Sequence, residues 1–440
     1  MIGCHIGRMF QVTVAGGSYQ EGLTAVIQGH PPGMLLTEQE IYGDLLLRKP
    51  GTDELSSPRK EPDLPVIYSG LNAADTIAGA KNKNHTNGTP LTILIPNLDR
   101  HFVHIEQYQD TNRTPRPGHA SYASFIKYGP DDDAVGAGLF SGRYTATIVA
   151  AGAVAKKVLK KCGIEVCAYV KELASVRCPD VAHDQAFKYT NQYKKMRRDL
   201  DPFYQQVYVN GRITMEMRFL EKMKILAEIE QEIDAIRSKA PKMKPEAVRK
   251  KYDVHPVLNC PDIDAAQQMV DASNKITKTG DSCGGVVEVV ATGVPTGLGE
   301  PVFYKLDAEL GRMLGIGAVK GVEVGAGFAV KDMTGSQSND QMRAKNGMVS
   351  FESNNAGGIT GGLSTGQPIV VRLTVKPTPT IDKPQKTIDK YTLENKEMAA
   401  ITRRDPTIVA RIWPVAENYT AIVILDHLLA HYGYQTLKAK

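Results

Sequence analysis

"GVVEVVATGVPTGLGEPVFYKLDAELGRML" (residues 285–314) reads as a β-branched strand, a turn punctuated by Gly293, Pro295 and Gly297, and a short helix. The same order occupies residues 23–49, "LTAVIQGHPPGMLLTEQEIYGDLLLRK", with Gly29, Pro31 and Gly33 in the turn. There Thr37, followed three residues on by Glu40, is a capping-box signature, because hydroxyl and carboxylate reciprocally satisfy free backbone donors. Two further matches follow in register. "TNGTPLTILIPN" (86–97) and "STGQPIVVRLTVKPTP" (364–379) each run from a glycine turn through a proline into a strand. "RPGHASYASF" (116–125) and "RRDPTIVARI" (403–412) lead to the helical stretches "TATIVAAGAVAKKVL" and "NYTAIVILDHLLAHYG". Ordered self-similarity of this kind marks an internally repeated architecture. It predicts two similar β/α halves, residues 1–180 and 260–440, in one compact domain, with His119 and Asp405 at corresponding points.

Residues 181–259 differ in kind, being charged and glycine-poor. Phe219, Met223, Leu226, Ile229, Ile233 and Ile236 recur at three- and four-residue steps, which predicts a long amphipathic helix in a helical insertion. Its apolar face packs on the body or another subunit, or else meets a partner or a lipid surface. The whole chain has 440 residues, 42% hydrophobic and 23% charged, which excludes global disorder. A net charge of +5 with few aromatics does not favour a dedicated nucleic-acid binder. The six cysteines form no CxxC pair or zinc-spaced cluster, so reduced thiols are expected. With no basic-then-apolar leader and no apolar run of about 18 residues, the chain reads as soluble, cytoplasmic, unprocessed and without a membrane role.

Five stretches carry groups suited to chemistry. "SNNAGGITGGLSTGQP" (353–368) holds five glycines that let backbone N–H groups approach a ligand, or that serve as turns between strands. It has neither the Walker A ending nor the Rossmann glycine spacing. "KPTPT" (376–380) combines a cation, two hydroxyls and a stiff backbone, suiting a phosphate or a solvated strand end. "RPGH" (116–119) and "RRDP" (403–406) each pair cations with a group able to move a proton. "RKPGTDELSSPRKEPD" (48–63) supplies Arg48 and Arg59 around a Pro-Gly turn, for a multiply charged anion or as a solvated loop.

Taken together, these stretches and "IGRMFQVTVAGGS", "AAGAVAKK", "AVKGVEVGAGF", "GSQSND" and "DHLL" resemble the chorismate synthase family through both halves of the chain. The resemblance implies an α+β fold, a β-α-β sandwich, usually assembled as a homotetramer. It implies reduced FMN as cofactor and a small anionic substrate, 5-enolpyruvylshikimate 3-phosphate. That substrate is converted to chorismate by a 1,4-elimination of phosphate without net redox change. Ser141, Gly317, Ala318, Gly361, Lys376, Pro377, Thr378, Thr380 and Arg403 match the family's FMN-contacting positions. His119 matches the histidine that protonates the reduced flavin, and Asp405 the aspartate that takes the proton from flavin N5. Arg48, Arg143 and Arg59 remain for anionic groups of the substrate. The helical stretch is longer than a typical member carries.

The chain departs from the family pattern on the substrate side. It reads Gly16-Gly17-Ser18-Tyr19-Gln20 where Gly-Glu-Ser-His-Gly is usual, placing the phenol of Tyr19 where an imidazole protonates the departing phosphate. A phenol of pKa about 10 is a weaker acid than an imidazole of about 6.5. Leu47 and Glu54 stand at arginine positions, and Leu139-Phe140 replaces the Arg-Ser before Ser141. Tyr144 replaces a glutamate, Ser121 an aspartate and Arg404 a histidine. A diverged FMN-dependent lyase of the same fold, or a non-catalytic FMN-binding paralogue, is therefore the alternative to the family reaction.

Overall fold

Alternating apolar and polar residues near the N-terminus fold as an antiparallel pair, β2 (Gln11–Gly16) and β3 (Gly22–Gln28), with Leu23, Ala25 and Ile27 buried. With β1 (His5–Ile6), β4 (Val66–Ser69) and β5 (Leu91–Pro96) they form a five-stranded sheet ordered β1-β2-β3-β5-β4. The chain continues through β6 (Glu165–Leu173), β7 (Val176–Arg177), β8 (Gly285–Thr292) and β9 (Val319–Val324). Two hairpins follow, β10 (Met342–Lys345) with β11 (Met348–Phe351) and β12 (Ile359–Thr360) with β13 (Leu363–Ser364). Strand β14 (Ile369–Val375) then enters the second sheet, ordered β7-β6-β8-β14-β9, and β15 (Gln385–Ile388) pairs with β16 (Asn395–Met398). This computed structural model describes residues 3–51, 53–56, 59–72, 82–99, 113–133, 135–399 and 405–437.

The two sheets share one plan. Leaving aside the two-residue edges β1 and β7, each places its strands in the chain order first, second, fourth, third. Each last strand is followed by a long helix, Thr145–Lys161 in one case and Val409–Leu437 in the other. These helices pack on one another and against both sheets, making the middle layer of an α+β sandwich. The second of the two like-ordered sheets begins in sequence at β6, well before residue 260. Strands β6 and β7, inside residues 1–180, pair with β8 and so belong to the second sheet.

The middle layer depends on a close approach. A Cβ added to Gly152 would lie 2.3 Å from Asn418 Cβ, so only glycine lets the two helices cross there. One turn away from that crossing, buried Glu417 binds Lys156 and Lys194 and accepts from the Ala168 backbone N–H at 3.2 Å. The capping box is formed as expected, with Glu40 N donating to Thr37 Oγ1 at 3.2 Å ahead of helix Glu38–Arg48.

The stretch 181–259 forms helices His183–Leu200, Phe219–Ser238 and Pro245–Tyr252, with a π-helical turn at Tyr204–Val209. Leu226, Ile229, Ile233 and Ile236 are buried against the body, and Phe219 meets Tyr68 edge-on at 4.9 Å. Buried Lys222 pairs with Glu38 of the first-half helix. None of the described helices is long and apolar enough to cross a membrane. Substituting Gly152→Ala is expected to lower stability by about 1–3 kcal/mol through overpacking, read as a lower urea midpoint.

Candidate active site

The turn between β2 and β3 carries Tyr19, and it is held from three directions. Gly16 has φ +98°, and a Cβ there would meet the Gly22 carbonyl oxygen at 2.1 Å. Asn97 Nδ2 lies 2.8, 3.2 and 2.7 Å from the carbonyl oxygens of Gly17, Ser18 and Gln20. The Tyr144 hydroxyl donates to the Gly16 carbonyl, so the residue that departs from the family's glutamate clasps the turn. At the apex, Arg59 Nη2 donates to the Tyr19 hydroxyl at 3.1 Å, with the guanidinium 5.5 Å from the ring centroid.

Behind this turn lies a buried charge cluster. Arg143 contacts Asp63, lies 3.4 Å from Glu61 and donates through Nε to Asn97 Oδ1 at 3.0 Å. Arg48 lies 3.3 Å from Asp63. Burial and the neighbouring charge of Arg411 push Arg48 down to about 9, Glu61 opposing. Burial likewise lowers Arg143 to about 10, Arg48 and Arg59 adding to it, so both remain cations at neutral pH. Leu47 is buried in the core, which leaves no anion-facing role at that position.

The second-half residues meet this cluster. Lys376, immediately after β14, donates from Nζ to the Gly118 carbonyl and from its backbone to the Ala318 carbonyl at 2.9 Å. Thr378 Oγ1 donates to the Asp405 carbonyl at 2.7 Å, and the Asp405 carboxylate pairs with Arg411. Gly142, beside Ser141, packs near Ile408, which follows Asp405 by three residues. His119 is half-buried, and its Nδ1 has no hydrogen-bond partner. Burial lowers its pKa to about 4, with Arg116 and Lys376 adding to the shift, so the imidazole is neutral at pH 7. Ser121, in place of an aspartate, accepts from the Arg116 backbone N–H at 3.0 Å and closes the turn that presents His119.

The structure thus gathers Tyr19, Arg48, Arg59, Arg143, Ser141, His119, Ala318, Lys376, Thr378 and Asp405 around one junction of the two halves. Gly317 precedes Ala318, which adopts φ +73°, and a Cβ on Gly317 would meet nothing within 4 Å. Pro377 packs on Gly284, and Thr380 ends the same segment. Gly361 is apart. It forms the β12–β13 turn at the Ile369 end of β14, roughly 20 Å of extended strand from Lys376. Arg403 and Arg404 lie outside the described residues. Sequence reasoning missed Glu61, Asp63, Asn97 and Arg411. Asp63 lay within a quoted charged stretch, but neutralising buried arginines is a tertiary role that spacing does not reveal. A separate cavity of about 440 Å³ opens on the outer face of the second sheet, where Lys171–Asp180 and Arg372–Glu288 pair among themselves.

A family model described as chorismate synthase matches residues 10–429. The chain belongs to the chorismate synthase family. A chorismate synthase of Acetivibrio thermocellus is 38% identical over 456 aligned positions, covering 100% of this chain and 98% of the relative. One from Methanosarcina barkeri is 36% identical, covering 98% of this chain and 97% of its own. A crystal structure of chorismate synthase shares the fold, with TM-score 0.63 and 24% identity over 97% of this chain and 94% of its own. The helical stretch 181–259 lies inside the region that the family model matches.

The depressed pKa of His119 has a measurable consequence. In the free protein its ring signals in NMR are expected to titrate near pH 4. Binding an anion beside Lys376 and Arg116 is expected to raise that midpoint, because it neutralises the two cations that lower it.

Proposed function

We propose that the protein is an FMN-dependent chorismate synthase that eliminates phosphate from 5-enolpyruvylshikimate 3-phosphate. The observation that carries this reading is the meeting of an arginine-rich anion cluster with the His119–Lys376–Asp405 segment in a member of this family. Among the described residues around the junction, the cations Arg48, Arg59, Arg116, Arg143, Lys376 and Arg411 outnumber the carboxylates Glu61, Asp63, Asp133 and Asp405, which favours an anionic ligand.

The residues present fit FMN. His119 Nδ1 is buried and unpartnered, Lys376 offers a cation, and the open side of Gly317 beside left-handed Ala318 leaves room for close backbone approach. Lys376, Thr378 and Thr380 would hold the phosphate and polar chain, with Ser141, Gly317, Ala318, Pro377 and Arg403 completing the surround. Reduced FMN held there would supply an electron-rich ring for the elimination without net redox change. His119 holds a proton at its unpartnered nitrogen, and the Asp405 carboxylate accepts one. Arg48, Arg59 and Arg143 bind the carboxylates and phosphate of the substrate. The Tyr19 O–H, polarised by the Arg59 N–H on its oxygen, donates to the phosphate as the C–O bond breaks. The balance is one C–O and one C–H bond broken, one C=C bond formed, and phosphate and a proton released.

The second reading, a lyase of the same fold with a different substrate, is favoured by one observation. Arg48 and Arg143 already meet Asp63 and Glu61, leaving less charge for a triply anionic substrate. The experiment is an FMN titration followed by anaerobic turnover. Chorismate above a no-enzyme control supports the first reading, and its absence in FMN-loaded protein supports the second. Absence of FMN affinity removes both, leaving a non-catalytic paralogue. Tyr19→Phe is expected to lower kcat by about 10²-fold with FMN affinity unchanged. Lys376→Ala is expected to weaken FMN binding by at least about tenfold, the worth of one charge-assisted hydrogen bond.

Self-association as a homotetramer belongs to the same reading. Phe303 is 87% exposed and Phe328 76%, with Val302, Met342 and Met348 also exposed. Gly361, remote from Lys376 within one chain, would join a cofactor site only across such a contact. Phe303→Asp is expected to reduce the mass measured by light scattering and to weaken FMN binding together.

A further inference from the structure

The segment that follows Arg48 and carries Arg59 is held at several described points by the helical stretch 181–259. Lys49 makes a buried ion pair with Asp201, and the Tyr42 hydroxyl donates to the same carboxylate at 3.0 Å. Arg197 lies 3.5 Å from Asp53, and Lys60 lies 2.7 Å from Asp234. Between these points, Arg237 Nη2, near the end of helix Phe219–Ser238, donates to the Gly51 carbonyl at 2.6 Å. Gly51 has φ +71°, and a Cβ there would lie 2.2 Å from the Arg59 carbonyl oxygen and 3.0 Å from Arg237 Nη2. Gly51 is thus clasped between the Arg59 backbone and the Arg237 guanidinium. Arg59 in turn holds the Tyr19 hydroxyl.

We propose that Arg237 is a positioning residue, and that the helical stretch acts through it to set Arg59 against Tyr19 and so to tune recognition of the substrate's phosphate. The Arg237 guanidinium holds the Gly51 carbonyl, the Gly51 Cα lies against the Arg59 carbonyl oxygen, and the Arg59 guanidinium holds the Tyr19 hydroxyl. Glycine at position 51 is required because its φ is positive and the Arg59 carbonyl oxygen approaches closer than a side chain allows. The exposed Lys60–Asp234 pair is screened and contributes little, whereas the directed Arg237 hydrogen bond joins the buried Lys49–Asp201 pair in holding this segment. This proposal rests on the chorismate synthase reading for the identity of the anion, but not for the geometry.

The test uses the full-length protein labelled with fluorotyrosine, with the Tyr19 fluorine signal assigned by Tyr19→Phe. Arg237→Ala, and Arg237→Gln as a milder change, are expected to move the Tyr19 signal in the same direction as Arg59→Ala. Arg237→Lys is expected to restore most of it. In turnover, Arg237→Ala is expected to raise KM for 5-enolpyruvylshikimate 3-phosphate about fivefold and to lower kcat with it, because Arg59 both meets the phosphate and polarises the Tyr19 O–H. In the Arg59→Ala background it is expected to raise KM no further. An unmoved Tyr19 signal in both Arg237 variants, or KM effects that add across the two sites, overturns the proposal. A moved signal in a protein that makes no chorismate supports the positioning role while rejecting the assigned reaction.

Discussion

The Glu417 carboxylate, fully removed from water, is the constraint on which the rest of the molecule hangs. It binds Lys156 of helix Thr145–Lys161, Lys194 of helix His183–Leu200 and the Ala168 N–H of β6, from its own place in helix Val409–Leu437. Lys156 extends the cluster to Asp44 at 2.9 Å. One carboxylate therefore registers both halves and the helical stretch against one another. Burial alone would raise its pKa, but Lys156 and Lys194 outweigh that and hold it below the ordinary glutamate value. Its contribution to stability is present above the unfolded pKa and fades as pH falls through the lower folded one. Removing either lysine would leave the buried carboxylate with one cation instead of two, which is costlier than losing a surface pair.

The repeat was legible because it is written in local signals. Glycine turns, a capping box and β-branched runs state their conformation without needing a partner, and the shared strand order followed from them. The boundary was harder to read. Strand β6 has the composition of a buried strand but no local mark of which sheet it joins, and pairing with β8 across more than a hundred residues is a tertiary choice. The helical stretch was visible as an apolar stripe at helical spacing. That it packs on the body follows from the buried Leu226 to Ile236 face.

For the site, residue types that act through their own chemistry were found in the sequence, and residues that act on other residues were not. His119, Lys376 and Asp405 stood out as proton carriers and cations in stiff turns. Asn97 did not, because an asparagine after a strand is ordinary, and its hold on three carbonyls and Arg143 exists only in the fold. Asp63 likewise reads as a loop carboxylate until Arg48 and Arg143 are seen on either side of it. The departures from the family pattern lie mostly on the first-half side, while the second-half segment from Lys376 to Thr380 keeps its form.

The Tyr144 clasp on Gly16 bears on the entropy of binding. With Tyr144 and Asn97 holding the backbone on either side, Tyr19 sits on a turn whose conformational freedom is already spent before any ligand arrives. A ligand that meets this phenol would lose little free energy to ordering the turn. The same rigidity narrows what the apex can accept. A glutamate at position 144, unable to donate to a carbonyl, would leave the turn looser and tolerant of more ligand shapes.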